Sequence, residues 1–530
     1  MKKVVIAQID TLAGDIKNNS AKIIENIKKA QNIGADVIIF PELTLCGSPL
    51  GNIIVRHKAV IKQQSEALRN IAEISNNIAV ILGCVGENAD SIIAFIKNKK
   101  IDYINDFKII NDTAFVLDLE NLKNVSCQNV VLLANTPSRY GFENKLNEQL
   151  SKIKANLVYV NRAGYADNVV FSGASRVYIN GSLTARAKYL EEDFLIIDDF
   201  KGEIEPLPAG VEAKMSEKFD LDYSSDLERV YKSSIFAIKE YFRKNGFSKA
   251  VLGLSGGLDS TISAVLLTDA LGRKNVVGIS MPSRITSDES KNDAKELSQN
   301  LGITFFEIPL ASSIDVSKLL LNKAFEKISM EKYAESTTME NLQARTRATI
   351  LWSVSNEYKG MLPIATSDKS EAYIGYATVN GDMSGGFAPI ADITKTKLFA
   401  LGKFINELKG REVVPKSVLE KPPGAELKIN QKTGRPLCAE EANMPYEFLD
   451  EIVWMIENFG YGKQDLYKHS FLYEKNHELS QEQKEEWINK FYWKMHCATY
   501  KWHIMPASVI QDAHSINSVE YYQPILSNIL

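Results

Sequence analysis

With 530 residues, the chain is too long for one compact core, so we expect at least two domains. Apolar residues make up 45% of the composition and charged residues 24%, which excludes a collagen-like or largely disordered chain. The formal net charge is -4, and the basic residues are scattered among acidic ones. This distribution argues against nucleic acid or an anionic membrane as a partner.

The cysteines indicate reduced thiols rather than disulfides or a metal site. They are far apart and form neither a CxxC pair nor a metal-ligand spacing: Cys46, Cys84, Cys127, Cys438 and Cys497. The apolar run at the start is too short for a signal peptide, and no segment has the roughly 20 apolar residues of a membrane span. We therefore expect a cytoplasmic protein.

Residues 1–205 alternate short apolar runs with amphipathic stretches, which predicts a layered α/β domain. The helical patterns cover residues 19–34 and 65–75. The predicted strands are residues 4–9, 37–40, 78–83, 114–117, 130–133 and 157–160. Residues 206–225 are rich in Gly, Pro and charge, so we interpret them as a linker.

A second α/β domain is predicted for residues 226–530. Its strands and helices alternate at the spacing of a mostly parallel, doubly wound sheet. The predicted strands are residues 250–254, 276–281, 304–308 and 362–366. The predicted helices are residues 227–245, 261–271, 289–300 and 340–357.

The strongest local signal is a glycine-rich turn between a predicted strand and a predicted helix. It consists of Gly253, Leu254, Ser255, Gly256, Gly257, Leu258, Asp259 and Ser260. Adjacent glycines let the backbone approach an anion, and the helix N-terminus supplies free N–H groups. The alternative is a simple capped turn, but hydroxyls on both sides of the turn and a carboxylate suited to Mg²⁺ make a phosphate site the better interpretation.

This turn resembles the SGGxDS loop of the PP-loop ATP pyrophosphatases, which adenylate a carbonyl oxygen and release pyrophosphate. Further segments resemble NAD synthetases in order along the chain. They include ENLQARTR at 340–347, TSDKSE at 366–371, DITK at 392–395, KPPGAEL at 421–427 and the late residues 500–508. The resemblance spans nearly all of residues 226–510.

The resemblance implies roles for individual side chains. Thr366 and Lys395 are expected to contact ATP. Asn341, Arg345, Glu371 and Lys501 are expected to contact nicotinic acid adenine dinucleotide. Asp259 and Glu371 are expected to hold Mg²⁺ across the ATP phosphates, because both follow predicted strands at the ligand-binding edge of the sheet.

The implied reaction is ATP-dependent amidation of the nicotinate carboxylate through an adenylate, which releases AMP and pyrophosphate. The sequence identifies no base for ammonia. It departs from the family pattern at Ser367 and Asp368, where TSDKSE replaces TGNKSE, and at Asn380 and Gly424.

The alternatives to an NAD synthetase are a carbon–nitrogen hydrolase with an accessory nucleotide domain and a non-catalytic nucleotide sensor. The intact phosphate loop disfavours the sensor. The resemblance also implies a homodimer through the synthetase domains, or a larger homo-oligomer.

The N-terminal domain is similar to the nitrilase-type amidases that precede the synthetase in glutamine-dependent NAD synthetases. Residues 40–43 and 164–175 carry this resemblance. It implies a Glu base, a Lys and a Cys nucleophile that release ammonia from glutamine. Glu42 matches the base, although it is equally a strand-end carboxylate that caps a turn. Lys97 matches the lysine by its spacing to Tyr103, and Lys99 and Lys100 are alternatives.

No cysteine matches the nucleophile of these amidases. The family places it at the end of the strand over residues 114–117, where this sequence has Asp118-Leu119-Glu120. Cys127 begins the next predicted strand, at the wrong edge, and Cys46 and Cys84 have the pattern of packing residues. Covalent amidase chemistry needs an activated thiolate. We therefore interpret the amidase as degenerate and expect turnover with free ammonia.

Overall fold

The computed structural model separates the chain into two compact units, Met1–Lys214 and Met215–Leu530. It describes residues 3–48, 58–86, 90–105, 107–118, 120, 127–209, 211–212, 219, 221, 223–330, 337–424, 426–429, 438–512 and 514–516. Leu119, Ala425 and part of the expected linker therefore lie outside the described residues. No helix among the described residues is long and apolar enough to cross a membrane.

The first unit is a sandwich of two sheets covered by helices. Its helices are α1 (Ile16–Asn32), α2 (Lys58–Ile74) and α3 (Phe142–Leu150). Its strands are β1 (Lys3–Gln8), β2 (Val37–Ile39), β3 (Ala79–Val85), β4 (Ser91–Lys97), β5 (Lys100–Ile104), β6 (Phe107–Ile110), β7 (Thr113–Val116), β8 (Asn129–Leu133), β9 (Asn156–Val160), β10 (Ala163–Ala166), β11 (Val169–Ser172), β12 (Arg176–Ile179), β13 (Ser182–Arg186) and β14 (Asp193–Asp198).

Strand alternation explains how this sandwich is filled. One sheet has the order β14-β1-β2-β3-β4-β5, and the other has the order β13-β12-β9-β8-β7-β6. Alternate side chains such as Ile6 and Ile39 pack against Val131 and Val158 of the facing sheet. The opposite faces pack against helices, as Val5 does with Ile23 of α1. The predicted layered α/β domain is confirmed.

The second unit is built on a four-stranded sheet of β15 (Lys249–Gly253), β16 (Val276–Ser280), β17 (Thr304–Glu307) and β18 (Met361–Pro363). Its helices are α4 (Leu227–Asn245), α5 (Leu258–Leu271), α6 (Asp288–Leu301), α7 (Ala311–Phe325), α8 (Thr338–Glu357), α9 (Lys369–Tyr373), α10 (Lys395–Lys409), α11 (Lys416–Glu420), α12 (Ala439–Ala442), α13 (Tyr446–Phe459), α14 (Lys463–Lys468), α15 (Leu472–Asn476) and α16 (Gln481–Trp502).

The strand order of this unit places its ligand-binding edge. All strand pairs are parallel, and the order is β17-β16-β15-β18. The chain therefore moves outward from β15 through β16 to β17 and then returns to the other side of β15. This reversal lies between β15 and β18, where open α/β sheets leave a crevice at the carboxyl ends of their strands. The predicted parallel, doubly wound sheet is confirmed.

Candidate active site

The phosphate loop joins the carboxyl end of β15 to the first turn of α5. Gly256 has a φ of 79°, and a Cβ atom there would lie 2.1 Å from the carbonyl oxygen of Ser290. Only glycine fits this position. The hydroxyls of Ser255 and Ser260 lie 3.2 Å apart, and the Ser255 hydroxyl also accepts a hydrogen bond from the N–H of Gly257. Since no side chain caps the N-terminus of α5, its dipole and N–H groups favour an anion.

A cleft opens at this loop, between the carboxyl ends of β15 and β18. The whole loop from Gly253 to Asp259 lines it, and so do the predicted ATP contacts Thr366 and Lys395. Glu371, predicted to bind both metal and substrate, lines the same cleft. The cleft is closed on another side by residues 421–424, which include Gly424. The fold therefore brings together the predicted loop, the predicted metal ligands and the predicted ATP contacts.

Three carboxylates surround one ammonium group at the floor of the cleft. Carboxylate oxygens of Asp259, Asp368 and Glu371 lie within 4.8 Å of one another. The Nζ atom of Lys395 is 2.7 Å from Asp259, 2.5 Å from Asp368 and 3.0 Å from Glu371. The oxygen ligands and their separation fit a divalent cation such as Mg²⁺.

Burial and mutual repulsion perturb these groups. Burial, followed by the neighbouring carboxylates, raises the pKa of Asp368 to about 7 and that of Glu371 to about 7. Burial alone would lower the pKa of Lys395, but the charges of the three carboxylates raise it well above its usual value. Lys395 therefore stays protonated at neutral pH, whereas the carboxylates compete for one compensating charge.

Hydrogen bonds to residues of α13 hold the charged cluster in position. The Ser370 hydroxyl accepts from the N–H of Lys395 at 2.8 Å and donates to Asp450. Asp450 also accepts from the N–H and the hydroxyl of Thr396, at 2.9 and 2.6 Å. Tyr446 donates to Glu371 at 2.9 Å. The first turns of α9 and α10 are therefore locked to α13, which holds their charged side chains in place.

The remaining predicted substrate residues converge on a different segment, residues 375–379. Asn341 accepts a hydrogen bond from the Thr378 hydroxyl at 2.8 Å, and Arg345 donates to the carbonyl of Val379 at 3.1 Å. Lys501 donates to the carbonyls of Gly375 and Ala377, both at 2.7 Å. These three side chains are not among the residues that line the cleft. They mark a second region of the unit, beside the first.

In the first unit, Glu42 follows β2 at one edge of the sandwich. Its N–H donates to the carbonyl of Ala134, directly after β8, at 3.3 Å. Burial, followed by the charge of Asp118, raises the pKa of Glu42, while a hydrogen bond from Ser91 opposes the rise. Asp118 follows β7, which is parallel to β8, so both strands end at the same edge. The charge of Asp118 therefore acts on Glu42 from the edge at which the resemblance places the nucleophile.

The prediction that Lys97 belongs to this site is corrected. Ser91, which meets Glu42, begins β4, and Lys97 ends it. Six residues of strand separate the two by about 20 Å. Lys97 pairs with Lys100 in the hairpin between β4 and β5, at the opposite edge of the sandwich. Lys99 lies in the same hairpin, where it pairs with Glu73 at 2.7 Å, so neither alternative lysine reaches Glu42.

The cysteines near the sandwich do not supply a nucleophile. Cys127 precedes β8, whereas Glu42 contacts Ala134, which follows β8. The length of the strand, about 20 Å, therefore separates Cys127 from Glu42. Cys46 lies close enough to Glu42 to be affected by its charge, but it is fully buried. Burial raises the pKa of its thiol to about 12, so it is protonated at neutral pH.

Comparisons with known proteins match both units. The NAD synthase family model matches residues 230–495, and the carbon-nitrogen hydrolase model matches residues 3–117. The glutamine-dependent NAD(+) synthetase of Thermotoga maritima is 30% identical, over 88% of this chain and 91% of that protein. The enzyme of the same name from Aquifex aeolicus is 32% identical, over 86% and 89%.

This chain belongs to the glutamine-dependent NAD(+) synthetase family. Among solved structures, the family member from Acinetobacter baumannii in complex with ADP has a TM-score of 0.69 and 25% identity, over 99% of this chain and 98% of that one. The Cytophaga hutchinsonii enzyme has a TM-score of 0.80 over the same shares at 18% identity, which supports the fold.

Membership of the NAD(+) synthetase family confirms the predicted ATP-dependent synthesis of NAD⁺. The alternative, a carbon–nitrogen hydrolase with an accessory nucleotide domain, is not favoured. The hydrolase model matches only the stretch that ends with β7, just before Asp118. The part of the hydrolase domain in which the family places its nucleophile lies beyond that match.

Sequence reasoning missed four charged residues of this NAD(+) synthetase cleft, which are Arg347, Asp382, Lys421 and Glu426. Arg347 donates from Nε to the carbonyl of Met281 at 3.2 Å. Helical periodicity carries the signal for Arg347, because Ala344, Ala348 and Leu351 lie on the same face of α8 and line the cleft too. Asp382 lines the cleft and accepts a hydrogen bond from the N–H of Thr378 at 2.7 Å, a contact that no sequence pattern indicated.

Proposed function

We propose that this chain converts nicotinic acid adenine dinucleotide to NAD⁺ in the cleft of its second unit. In this reaction the nicotinate carboxylate attacks the α-phosphorus of ATP and releases pyrophosphate, and ammonia then displaces AMP. One observation carries the proposal: the phosphate loop and the charged cluster of Asp259, Asp368, Glu371 and Lys395 face a single cleft. Phosphoryl chemistry of this kind depends mainly on positioning and on neutralised charge.

The residues of the loop are suited to hold the triphosphate. The N–H groups at the start of α5 face the region of the Ser255 and Ser260 hydroxyls, which add further donors. We assign Asp259 and Glu371 as Mg²⁺ ligands, and Thr366 and Lys395 as ATP contacts. When bound, Mg²⁺ supplies charge that offsets the negative charge of the departing pyrophosphate. Lys395 supplies a further positive charge in the same cleft.

We assign the acceptor dinucleotide to the region of Asn341, Arg345 and Lys501. Each of these side chains holds residues 375–379 through a hydrogen bond, and the last two are cationic. A dinucleotide carries a pyrophosphate bridge, which an arginine fork can bind with two parallel hydrogen bonds. Glu371 lines the cleft, and its carbonyl accepts a hydrogen bond from the N–H of Tyr376 at 2.9 Å, so its backbone connects the cleft to residues 375–379. We also assign Glu371 as a contact of the dinucleotide.

We propose that ammonia, rather than glutamine, is the nitrogen donor. Asp118, whose charge acts on Glu42, stands where the family resemblance places a cysteine, and neither Cys127 nor Lys97 lies at that edge. A carboxylate is a poor nucleophile toward an unactivated amide. Burial and then the charge of Asp118 raise the pKa of Glu42 and so disfavour the ionised form that acts as a base. The first unit would then serve as a scaffold for folding or assembly.

Product analysis tests these proposals together. Purified protein is supplied with the dinucleotide, ATP and Mg²⁺, and with either ammonium or glutamine, and NAD⁺, AMP and pyrophosphate are quantified. We expect ammonium to support turnover at least about tenfold faster than glutamine. The same comparison in Cys46→Ala and Cys127→Ala is the control. Efficient glutamine use that disappears in either variant would show that the amidase is active and that its nucleophile was misplaced.

A further inference from the structure

Asp368 is the one member of the charged cluster that departs from the family motif, since it stands where the TGNKSE pattern has Asn. It is fully buried and begins α9. Its Oδ1 accepts a hydrogen bond from the N–H of Glu371 at 2.9 Å. Its Oδ2 is paired with the Lys395 ammonium, 2.5 Å away. One oxygen therefore caps a helix, while the other faces the cluster.

The charges of the cluster do not balance without a further cation. Three carboxylates meet a single ammonium, so the fully ionised cluster carries a net charge of two negative units. The cluster is buried, where the repulsion between like charges is weakly screened. A divalent cation supplies the two positive charges that are missing. With Asn in place of Asp368, the deficit would be only one unit.

The Lys395 ammonium occupies the position in this cluster that a bound cation would take. Its Nζ atom contacts both carboxylate oxygens of Asp259, at 2.7 and 2.8 Å, and also contacts Asp368 and Glu371. Its side chain is 1% exposed, so water does not provide a substitute for these contacts. An ammonium group held by the same oxygens that would ligate a metal competes with that metal.

We propose that Asp368 is a third carboxylate ligand for the divalent cation of this cleft, and that the Lys395 ammonium occupies the cation position until the metal enters. The inference rests on the proposed function for the identity of the cleft as an ATP site. The third carboxylate strengthens metal binding in the absence of nucleotide, and the lysine weakens it. Metal entry releases Lys395 from the cluster, so the ammonium becomes available to an ATP phosphate.

Asp368→Asn tests the ligand role with little disturbance of the fold. Asn caps a helix about as well as Asp does, so the variant keeps the start of α9 and loses only the charge. Mn²⁺ binding to the full-length protein without nucleotide is measured by electron paramagnetic resonance of the free ion. We expect the parent to bind one Mn²⁺ per chain and Asp368→Asn to bind it about tenfold or more weakly, because affinity follows the charge of the ligands.

Asp382→Asn is the matched control, because the Asp382 carboxylate lines the same cleft but lies outside the cluster of three carboxylates. We expect it to bind Mn²⁺ within about twofold of the parent. Lys395→Gln removes the competing ammonium and should bind Mn²⁺ more tightly than the parent. If Lys395→Gln does not fold, the Asp368→Asn result decides. Equal Mn²⁺ affinity in the parent and Asp368→Asn overturns the proposal.

This measurement is independent of catalysis. A parent protein that makes no NAD⁺ but loses Mn²⁺ affinity on Asp368→Asn would contradict the proposed function and uphold the third ligand. If the parent makes NAD⁺ and Asp368→Asn binds Mn²⁺ as tightly as the parent does, the proposed function is upheld and the third ligand is contradicted.

Discussion

Gly256 shows how one residue controls the phosphate loop. Its backbone is left-handed, and the direction in which a side chain would project is occupied by the backbone of Ser290 at the start of α6. Backbone cannot move aside as a flexible side chain can. The loop and α6 therefore approach each other more closely than any other residue type would permit.

We predict that Gly256→Ala destabilises the protein far more than Gly410→Ala. Gly410 ends α10 with a φ of 61° and has open space where a Cβ would lie, so alanine there costs only the left-handed strain, about 1–2 kcal/mol. At Gly256 the clash adds about 1–3 kcal/mol. Urea unfolding of both variants, together with the KM for ATP, measures the difference. Equal losses of stability would show that the loop is loosely packed.

Among the secondary-structure elements, α8 separates two binding regions. Arg345 and Arg347 are two positions apart, so they project from different sides of the helix. Arg345 contacts Val379 in the proposed acceptor region, whereas Arg347 lines the cleft that holds the phosphate loop. One helix thus presents a cation to each substrate of the proposed reaction.

We predict that alanine substitutions at these two arginines affect different substrates. Arg347→Ala should raise the KM for ATP about tenfold and leave that for the dinucleotide nearly unchanged, since a hydrogen bond to a charged group is worth about 1.5–3 kcal/mol. Arg345→Ala should do the opposite. Steady-state kinetics with each substrate varied in turn separates the two, and parallel effects on both KM values would contradict the division.

In the molecule as a whole, a buried charge network within the second unit joins α9 to α13 and to the segment that follows α16. Lys369 lies 3.1 Å from Asp392, 2.6 Å from Glu457 and 3.0 Å from Asp512. Burial, then the charges of Asp392 and Asp512, raises the pKa of Glu457 to about 8 against the opposing charge of Lys369. Tyr373 also donates to Glu457 at 2.8 Å. Folding therefore takes up a proton at Glu457.

We predict that Glu457→Gln flattens the pH dependence of unfolding between about pH 4.5 and 8. The pKa of Glu457 is higher in the folded protein than in the unfolded chain, so its proton stabilises the folded state. This contribution to the free energy of unfolding is fully present below the unfolded-state pKa. It is lost as pH rises through the folded-state pKa, by up to about 1.4 kcal/mol per pH unit. The variant has no such proton to lose. Urea titrations of parent and variant across this range provide the comparison, and parallel curves would show that Glu457 is ionised in the folded protein.

The second unit also exposes an apolar surface patch on one face of α7. Val316 is 59% exposed, Leu319 59% and Leu320 62%, and Met330 nearby is 80% exposed. Monomeric proteins rarely expose such contiguous apolar groups. We expect a second copy of this chain to cover the patch, because the sequence resemblance implies a homo-oligomer.

We predict that Leu320→Glu weakens self-association at least about tenfold, because it places a charge in the centre of the patch. Lys318→Gln is the control, since it changes the charge by the same amount on another face of α7. Sedimentation velocity over a range of protein concentrations measures the effect. An unchanged distribution in Leu320→Glu would exclude this face as the contact.

The sequence by itself determined the chemistry class and the sheet. Two glycines after a buried strand, with hydroxyls and Asp259 before a helix, form a contiguous signal whose local geometry admits few alternatives. The elements from α4 to β17, with the exception of the helix ends, follow from periodicity alone. The missing cysteine beside Asp118 was also visible, because a nucleophile at a strand end is a property of one position.

Only the tertiary structure decided which distant residues meet. Asp368 is a polar residue in a short motif until the strand order places β18 beside β15, which brings it to Asp259 and Lys395. The prediction for Lys97 was wrong because it took no account of the direction of β4. That strand begins at the edge near Glu42 and ends at the opposite edge, where Lys97 lies. Spacing along the chain does not reveal that Asp368 meets Lys395 or that Lys97 lies far from Glu42, because both depend on the order and direction of the strands in space.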